Sequence, residues 1–142
     1  MSEQQTFHFE LVSPERKLLS ESAFRVTIPG AEGDFGVLAN HSSLVSSIRP
    51  GVMEVVSEEG KEAQKIFIGG GFVDVTASNC TVLAEEAVNV ADLNKEEVEQ
   101  EIRNLNEDLG RAKDEVSSLR IARSLEVAQA KLTAVTGVLL TA

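Results

Sequence analysis

Apolar and polar side chains alternate at the start of the chain, with Phe7, Phe9 and Leu11 on one side and His8, Glu10 and Val12 on the other. A period of two sends successive side chains to opposite faces of an extended backbone, so this run predicts a half-buried strand. Phe24, Val26 and Ile28 repeat the pattern against Arg25 and Thr27, and Pro29-Gly30 is expected to end it. Further strands are predicted over residues 52–56, 64–68, 72–77 and 80–84. The turn residues Glu58-Glu59-Gly60, the run Gly69-Gly70-Gly71 and Ala77-Ser78-Asn79 separate them. Short strands spaced roughly 8–12 residues apart argue for an antiparallel sandwich or barrel. No amphipathic helix lies between them to serve as the crossover of a parallel α/β sheet.

The period changes after residue 92. Val98, Ile102, Leu105, Leu109 and Ala112 step by four, three, four and three, which places them on one helical face. Ile121, Leu125, Ala128, Leu132 and Val135 repeat those steps. Asp92 and Asp114 are the expected N-caps, Glu96 and Glu97 complement the dipole of the first helix, and Gly110 weakens the helix between the two stripes. A short connection predicts antiparallel helices. The fold class is therefore a β-sandwich N-terminal domain followed by an α-helical antiparallel hairpin, over residues 1–90 and 91–142. Ala122, Ala128, Ala130 and Ala134 thin the second stripe. A hairpin of this size supplies only about 3–5 kcal/mol by itself. Permanent packing on the sandwich and conditional docking, with opening, both remain compatible with the pattern.

Composition sharpens the division. All six Phe, all three Pro and eight of ten Gly precede residue 73. The net charge of −10 repels phosphate backbones and anionic headgroups, which excludes nucleic-acid binding and direct lipid insertion as the main task. Hydrophobic residues at 42% are too many for a disordered acidic tail. No run of about 18 apolar residues is present to span a bilayer. The first ten residues include Glu3 and lack an apolar stretch, so no signal peptide is expected. Cys80 has no partner for an internal disulfide, and one cysteine with two histidines is too few for a zinc cage. The expectation is a soluble, intracellular protein without a metal. Within the helical half, residues 92–109 carry seven acidic and two basic side chains, whereas residues 110–142 carry three and five.

The residues offer little catalytic chemistry. Gly30-Ala31-Glu32-Gly33-Asp34-Phe35-Gly36 lacks the lysine and Ser/Thr of a phosphate loop and opens no helix, so a turn needing positive φ is expected there. Gly69-Gly70-Gly71 predicts a bulge or a close backbone approach. His41 beside Ser42 and Ser43 lacks a nucleophile elbow, and reads as a surface histidine in a binding loop. Glu58/Glu59 and Glu85/Glu86 read as solvated pairs, and Cys80, in phase with Val82, as a small buried hydrophobe. Arg111, Lys113, Arg120, Arg123 and Lys131 form either a solvated face or a grip on an acidic partner, and no aromatics interleave them for single-strand nucleic-acid binding. No catalytic residue, cofactor site or metal site is predicted. From the residues alone the chain is a non-catalytic adaptor, a β module for docking that carries a helical hairpin.

A series of ordered motifs goes further: Leu11-Val12-Ser13-Pro14-Glu15-Arg16, the run from Ile28-Pro29-Gly30 to Gly36-Val37-Leu38, His41, Pro50-Gly51, Gly70-Gly71-Phe72-Val73-Asp74-Val75, and Thr81-Val82-Leu83-Ala84-Glu85-Glu86-Ala87. In order and spacing the chain resembles the epsilon subunit of the F-type ATP synthase. The resemblance implies a ten-stranded sandwich with a hairpin, on the central rotor stalk, touching the gamma subunit and the ring of c subunits. It also implies peripheral attachment on the cytoplasmic face of the energy-transducing, bacterial inner membrane, and coupling of ion transport to ATP synthesis. Carried over by motif, Glu32, Asp34, His41 and Ser42 would meet the polar loops of the ring. The family's Leu-Pro-Gly-His-Ala-Pro loop is here Leu38-Ala39-Asn40-His41-Ser42-Ser43, keeping the histidine. Its ATP-binding motif, Ile/Leu-Asp-x-x-Arg-Ala, is here Ala91-Asp92-Leu93-Asn94-Lys95-Glu96, so weak or no ATP binding is expected. Arg111, Lys113, Arg120 and Arg123 would meet acidic segments of the catalytic alpha/beta head when the hairpin extends, restraining hydrolysis. An adaptor unrelated to the rotary motor, and a small hydrolase using His41 and Ser42, are the competing classes.

Overall fold

Phe7, Phe9 and Leu11 are all buried, as their alternation requires, in a strand spanning Phe7–Val12. The computed structural model describes residues 5–137; Glu3, on which the expected lack of a signal peptide partly rests, lies outside that range. The chain divides into two compact units, one ending at Asn89 and the other beginning at Val90.

Among the described residues, the first unit is one continuous sheet of ten strands: β1 (Phe7–Val12), β2 (Lys17–Ala23), β3 (Arg25–Gly30), β4 (Gly33–Val37), β5 (Leu44–Ile48), β6 (Gly51–Val56), β7 (Gln64–Ile68), β8 (Gly71–Val75), β9 (Asn79–Ala84) and β10 (Ala87–Asn89). Their order is β10-β7-β6-β3-β5-β8-β9-β1-β2, with β4 paired to β3. The inward faces of this folded sheet share one sandwich core, in which Phe9, Val26, Ile28, Met53, Ile68, Val73, Val75, Cys80 and Val82 are fully buried.

Several features depart from the sequence reading. The antiparallel arrangement is broken once, where β1 runs parallel to β9 from the His8–Asn79 pair to the Val12–Leu83 pair. In addition, β3 does not stop at Pro29-Gly30 but continues through them into a two-residue turn, Ala31-Glu32, with Gly30 opposite Gly33. The strands β2, β4, β5 and β10 were not predicted from periodicity. The sequence of β2 is half polar, β4 carries two glycines, β5 carries two serines, and β10 has three residues. None presents enough apolar alternation to be read locally.

The second unit opens with a short 3-10 turn, Val90–Asp92, followed by α1 (Lys95–Arg111) and α2 (Glu115–Thr136). The N-cap of α1 is Asn94 rather than Asp92: the Asn94 side-chain oxygen accepts from the Glu97 amide at 3.1 Å, while Asp92 closes the 3-10 turn. Asp114 caps α2 as expected, accepting from the Ser117 amide at 2.9 Å. Gly110 falls inside the last turn of α1, and Gly137 ends α2 in the left-handed conformation, its amide donating to Thr133 O at 2.8 Å. Lys131 Nζ, late in α2, lies 3.8 Å from Glu101 Oε2, early in α1, as antiparallel helices require. Val98 and Ala128 are buried on the facing stripes, and Ile102, Leu105, Leu109, Ile121, Leu125, Leu132 and Val135 are half-buried.

Candidate interaction surfaces

The tip between β3 and β4 is built on glycine. A Cβ on Gly30 would meet Gly33 O at 2.6 Å and Phe35 Cε1 at 2.9 Å, and Gly33 itself has φ +135°. Arg49, at the corner between β5 and β6, secures the tip from the side. Its Nη2 donates to Asp34 Oδ1 at 2.5 Å and its Nη1 to Gly30 O at 2.6 Å. Glu32 is exposed at the apex.

His41 and Ser42 lie in the loop at the other end of β4. Asn40 adopts positive φ (65°), and its amide donates to Ala77 O at 2.8 Å. His41 Nδ1 is 2.7 Å from Ser42 O. A carbonyl only accepts, so Nδ1 carries the proton in this contact. At about 3.3 Å per residue, β4 separates its two ends by roughly 13 Å. The four residues carried over by motif therefore form two sets, Glu32 with Asp34 and His41 with Ser42, and are not brought into one cluster.

A third feature was missed by the sequence reading. On the outward face of the sheet, Phe72 (55% exposed) lies opposite Leu83 (51%), which in turn lies opposite Val12 on β1. Val45, 71% exposed, stands nearby on β5 opposite Asp74. Solitary exposed apolar residues are ordinary, whereas a row across adjacent strands is a candidate contact surface. The signal was present: Val73 and Val75 face inward, so the two-residue period turns Phe72 outward. The same face of β1 carries His8 and Glu10. The Glu10 carboxyl is held below the usual range by hydrogen bonds from His8 at 2.9 Å and Lys17 at 3.2 Å.

In the hairpin, Arg111 ends α1, Lys113 lies in the connection, and Arg120 and Arg123 project from α2; all four are exposed. Val116 and Leu119, 67% and 64% exposed, join them. Positions 116, 119, 120 and 123 recur at i, i+3, i+4 and i+7, so they share one helical stripe of mixed apolar and basic character. Hydrogen bonds from Ser117 hold the Asp114 carboxyl below its ordinary range at the start of that stripe.

Cys80 is fully buried, and burial, with the Asp74 charge adding to it, pushes its thiol up to about 12. A thiol reacts as its thiolate, so Cys80 is expected to resist iodoacetamide at pH 8 in the native chain and to alkylate readily in urea. Equal labelling rates in the two states would contradict its burial. Among the described residues no group of three or more His, Cys, Asp or Glu could hold a metal ion, and no helix is long and apolar enough to cross a membrane.

Comparison with known proteins agrees with this architecture. The family model for the β-sandwich domain of the ATP synthase delta/epsilon chain matches residues 6–90. The ATP synthase epsilon chain of Maricaulis maris is 50% identical over 108 residues, 76% of this chain and 80% of that protein. That of Rhodospirillum rubrum is 42% identical over 130 residues, 92% of this chain and 96% of its own length. A chain in the cryo-EM structure of the Euglena gracilis mitochondrial ATP synthase (OSCP/F1/c-ring) superposes with a TM-score of 0.75 at 25% identity, covering 88% of this chain and 78% of that one. A chain of the Tetrahymena thermophila mitochondrial ATP synthase central stalk/c-ring shares the fold, with a TM-score of 0.63 at 15% identity. With the sandwich matched by the family model and the hairpin included in the longer alignments, the chain belongs to the ATP synthase epsilon-chain family.

Proposed function

We propose that this protein is a non-catalytic rotor subunit of F-type ATP synthase that links the gamma subunit to the ring of c subunits and so couples ion transport to ATP synthesis. The observation that carries the proposal is that one sheet presents two chemically different contact surfaces: an acidic tip pinned by Arg49, and an apolar row of Phe72, Leu83 and Val12. The acidic tip suits the polar loops of the ring, with His41 and Ser42 as a second polar contact at the far end of β4. The apolar row suits gamma, since burying a Phe or Leu side chain contributes about 1.5–3 kcal/mol. A continuous hydrogen-bonded sheet between the two surfaces resists shear, which is what a torque-bearing coupling needs. The chain thereby sits peripherally, on the cytoplasmic face of the bacterial inner membrane, through protein contacts rather than lipid.

Residues 1–90 and 91–142 act as separate functional domains in this scheme. The stripe of Val116, Leu119, Arg120 and Arg123, with Arg111 and Lys113, engages acidic segments of the alpha/beta head and restrains ATP hydrolysis. Reconstitution tests both parts. Adding the purified chain to ATP synthase stripped of its epsilon subunit should restore proton-coupled synthesis. A truncation ending at Val90 should restore coupling while leaving hydrolysis several-fold higher than the full chain does. Coupling unchanged by the full chain would overturn the rotor role, and equal hydrolysis with and without the hairpin would overturn its inhibitory role.

A further inference from the structure

We infer that the free edge of β4 is a self-pairing site, to which a second copy of this chain adds its own β4, antiparallel and centred on Phe35. The inference goes beyond the rotor role and does not depend on it. Its basis is the direction of the backbone groups. The Arg49 amide donates to Pro29 O and the Ala31 amide donates to Ser47 O, both at 3.0 Å, so the main chain on either side of Gly30 points toward the β5 side. Gly30, between them, turns its own N–H and C=O the other way, toward Gly33. Alternation along the ladder then has Phe35 and Val37 bond to Ile28 and Val26, while Asp34 and Gly36 direct their N–H and C=O away from β3. Pro29 lies opposite Asp34, where the ladder requires no N–H of it. Among the described residues β4 pairs with β3 alone, so these outward groups have no strand beside them.

Such groups are a template for another strand, and folded chains ordinarily guard them with charge, proline, bulges or shortness. The other two edges are guarded in this way. β2 carries Lys17 and Glu21 and shifts register against β1, and β10 has only three residues. β4 has five residues without lysine, proline or a register shift, and its one charge, Asp34, is paired with Arg49. A Cβ on Gly36 would meet nothing within 4 Å, so the approach is open. A second copy fits because the pattern is two-fold: centred on Phe35, the pairing sets each Asp34 opposite Gly36 of the other copy. Four main-chain hydrogen bonds form, and no carboxylate directly faces another, since the two Asp34 positions lie diagonally about 7–8 Å apart. The two Phe35 rings, each at the margin of its own core, meet across the non-hydrogen-bonded pair, where side chains stand closest. A net charge of −10 on each copy opposes the association, so the dimer is weak and salt strengthens it.

Sedimentation equilibrium of the full chain, combined with residue-resolved hydrogen exchange, tests the pairing. The wild-type chain should dimerise at concentrations on the order of 1 mM, the range of weak contacts. Raising the ionic strength from about 0.01 to about 1 M shortens the screening length from about 30 to about 3 Å and should tighten the dimer several-fold. The Asp34 and Gly36 amides should gain protection as concentration rises. Those of Phe35 and Val37, already bonded within the monomer, should change little. Gly36→Pro removes an outward N–H that β3 does not use, which deletes two of the four bonds and should weaken the dimer about tenfold or more. Gly36→Glu sets a carboxylate opposite Asp34 of the other copy and should also weaken it, whereas Gly36→Ala should dimerise as wild type does. Gly36→Glu carries the test should Gly36→Pro disturb folding. A wild-type chain that stays monomeric at about 1 mM in about 1 M salt would overturn the inference. So would a dimer that leaves the Asp34 and Gly36 amides unprotected, or one indifferent to Gly36→Glu, because the contact would then lie on another surface.

Discussion

Gly71→Ala is expected to destabilise the sheet by about 3 kcal/mol or more, combining backbone strain with a main-chain clash. Gly71 has φ +149°, and an added Cβ would lie 2.0 Å from Leu83 O and 3.0 Å from Leu83 C. The obstructing atoms are backbone, so no side chain can swing aside. Relief requires β8 to pull away from β9 at the Gly71–Ala84 and Phe72–Leu83 pairs, which are also the pairs that align the apolar row. Equilibrium urea unfolding of the two chains measures the effect. Gly36→Ala is the control, because Gly36 has no positive φ and an added Cβ would meet nothing within 4 Å. Stability within about 0.5 kcal/mol of wild type, the range usual for surface changes, would show that the approach of β8 to β9 is not as close as described.

The second large effect lies in the core. Phe9→Ala should cost about 3–5 kcal/mol, the range for emptying a buried aromatic site. Phe9 is fully buried on β1, the strand whose parallel pairing with β9 joins the first long strand to the last. Domain stabilities are only about 5–15 kcal/mol, so this loss threatens the whole sheet. Phe72→Ala makes the informative contrast. Phe72 is 55% exposed, so its removal should leave stability within about 0.5 kcal/mol while weakening attachment to gamma. Urea midpoints and gamma co-purification read the two properties separately. A Phe72→Ala chain that unfolds as early as Phe9→Ala would mean that Phe72 is structural, and the apolar row would lose its claim as a docking surface.

The two phenylalanines also mark how far periodicity reaches. The alternation around each assigns a face correctly, and inward Phe9 and outward Phe72 follow from the same rule. The glycine runs were legible in part: of the bulge or close backbone approach expected at Gly69-Gly70-Gly71, Gly71 makes the close approach, whereas of the Gly30–Gly36 run expected as a turn only Ala31-Glu32 is one and Gly33–Val37 forms β4. Cys80 was readable as a buried small hydrophobe from its phase with Val82 alone. The candidate site was less legible. Glu32, Asp34, His41 and Ser42 were identified by motif, yet their division between the two ends of β4 depends on β4 being a strand, and its Gly33-Asp34-Phe35-Gly36-Val37 sequence has no readable alternation. Arg49 carries no local signal, because its partner Asp34 is 15 positions away and nothing nearby in the chain links them.

By itself the sequence determined the six periodic strands, the two helical stripes and the Asp114 cap, because side-chain phase and capping are settled within a few residues. Only the tertiary structure decided the parallel seam between β1 and β9, the strand character of β2, β4, β5 and β10, the bridging of Asp34 by Arg49, and the alignment of Phe72, Leu83 and Val12 in one row. Each of these depends on which strand lies beside which. Pairing between distant segments is set by burial of a shared core, and that long-range term can hold even a polar or glycine-rich segment in an extended ladder against its local preference.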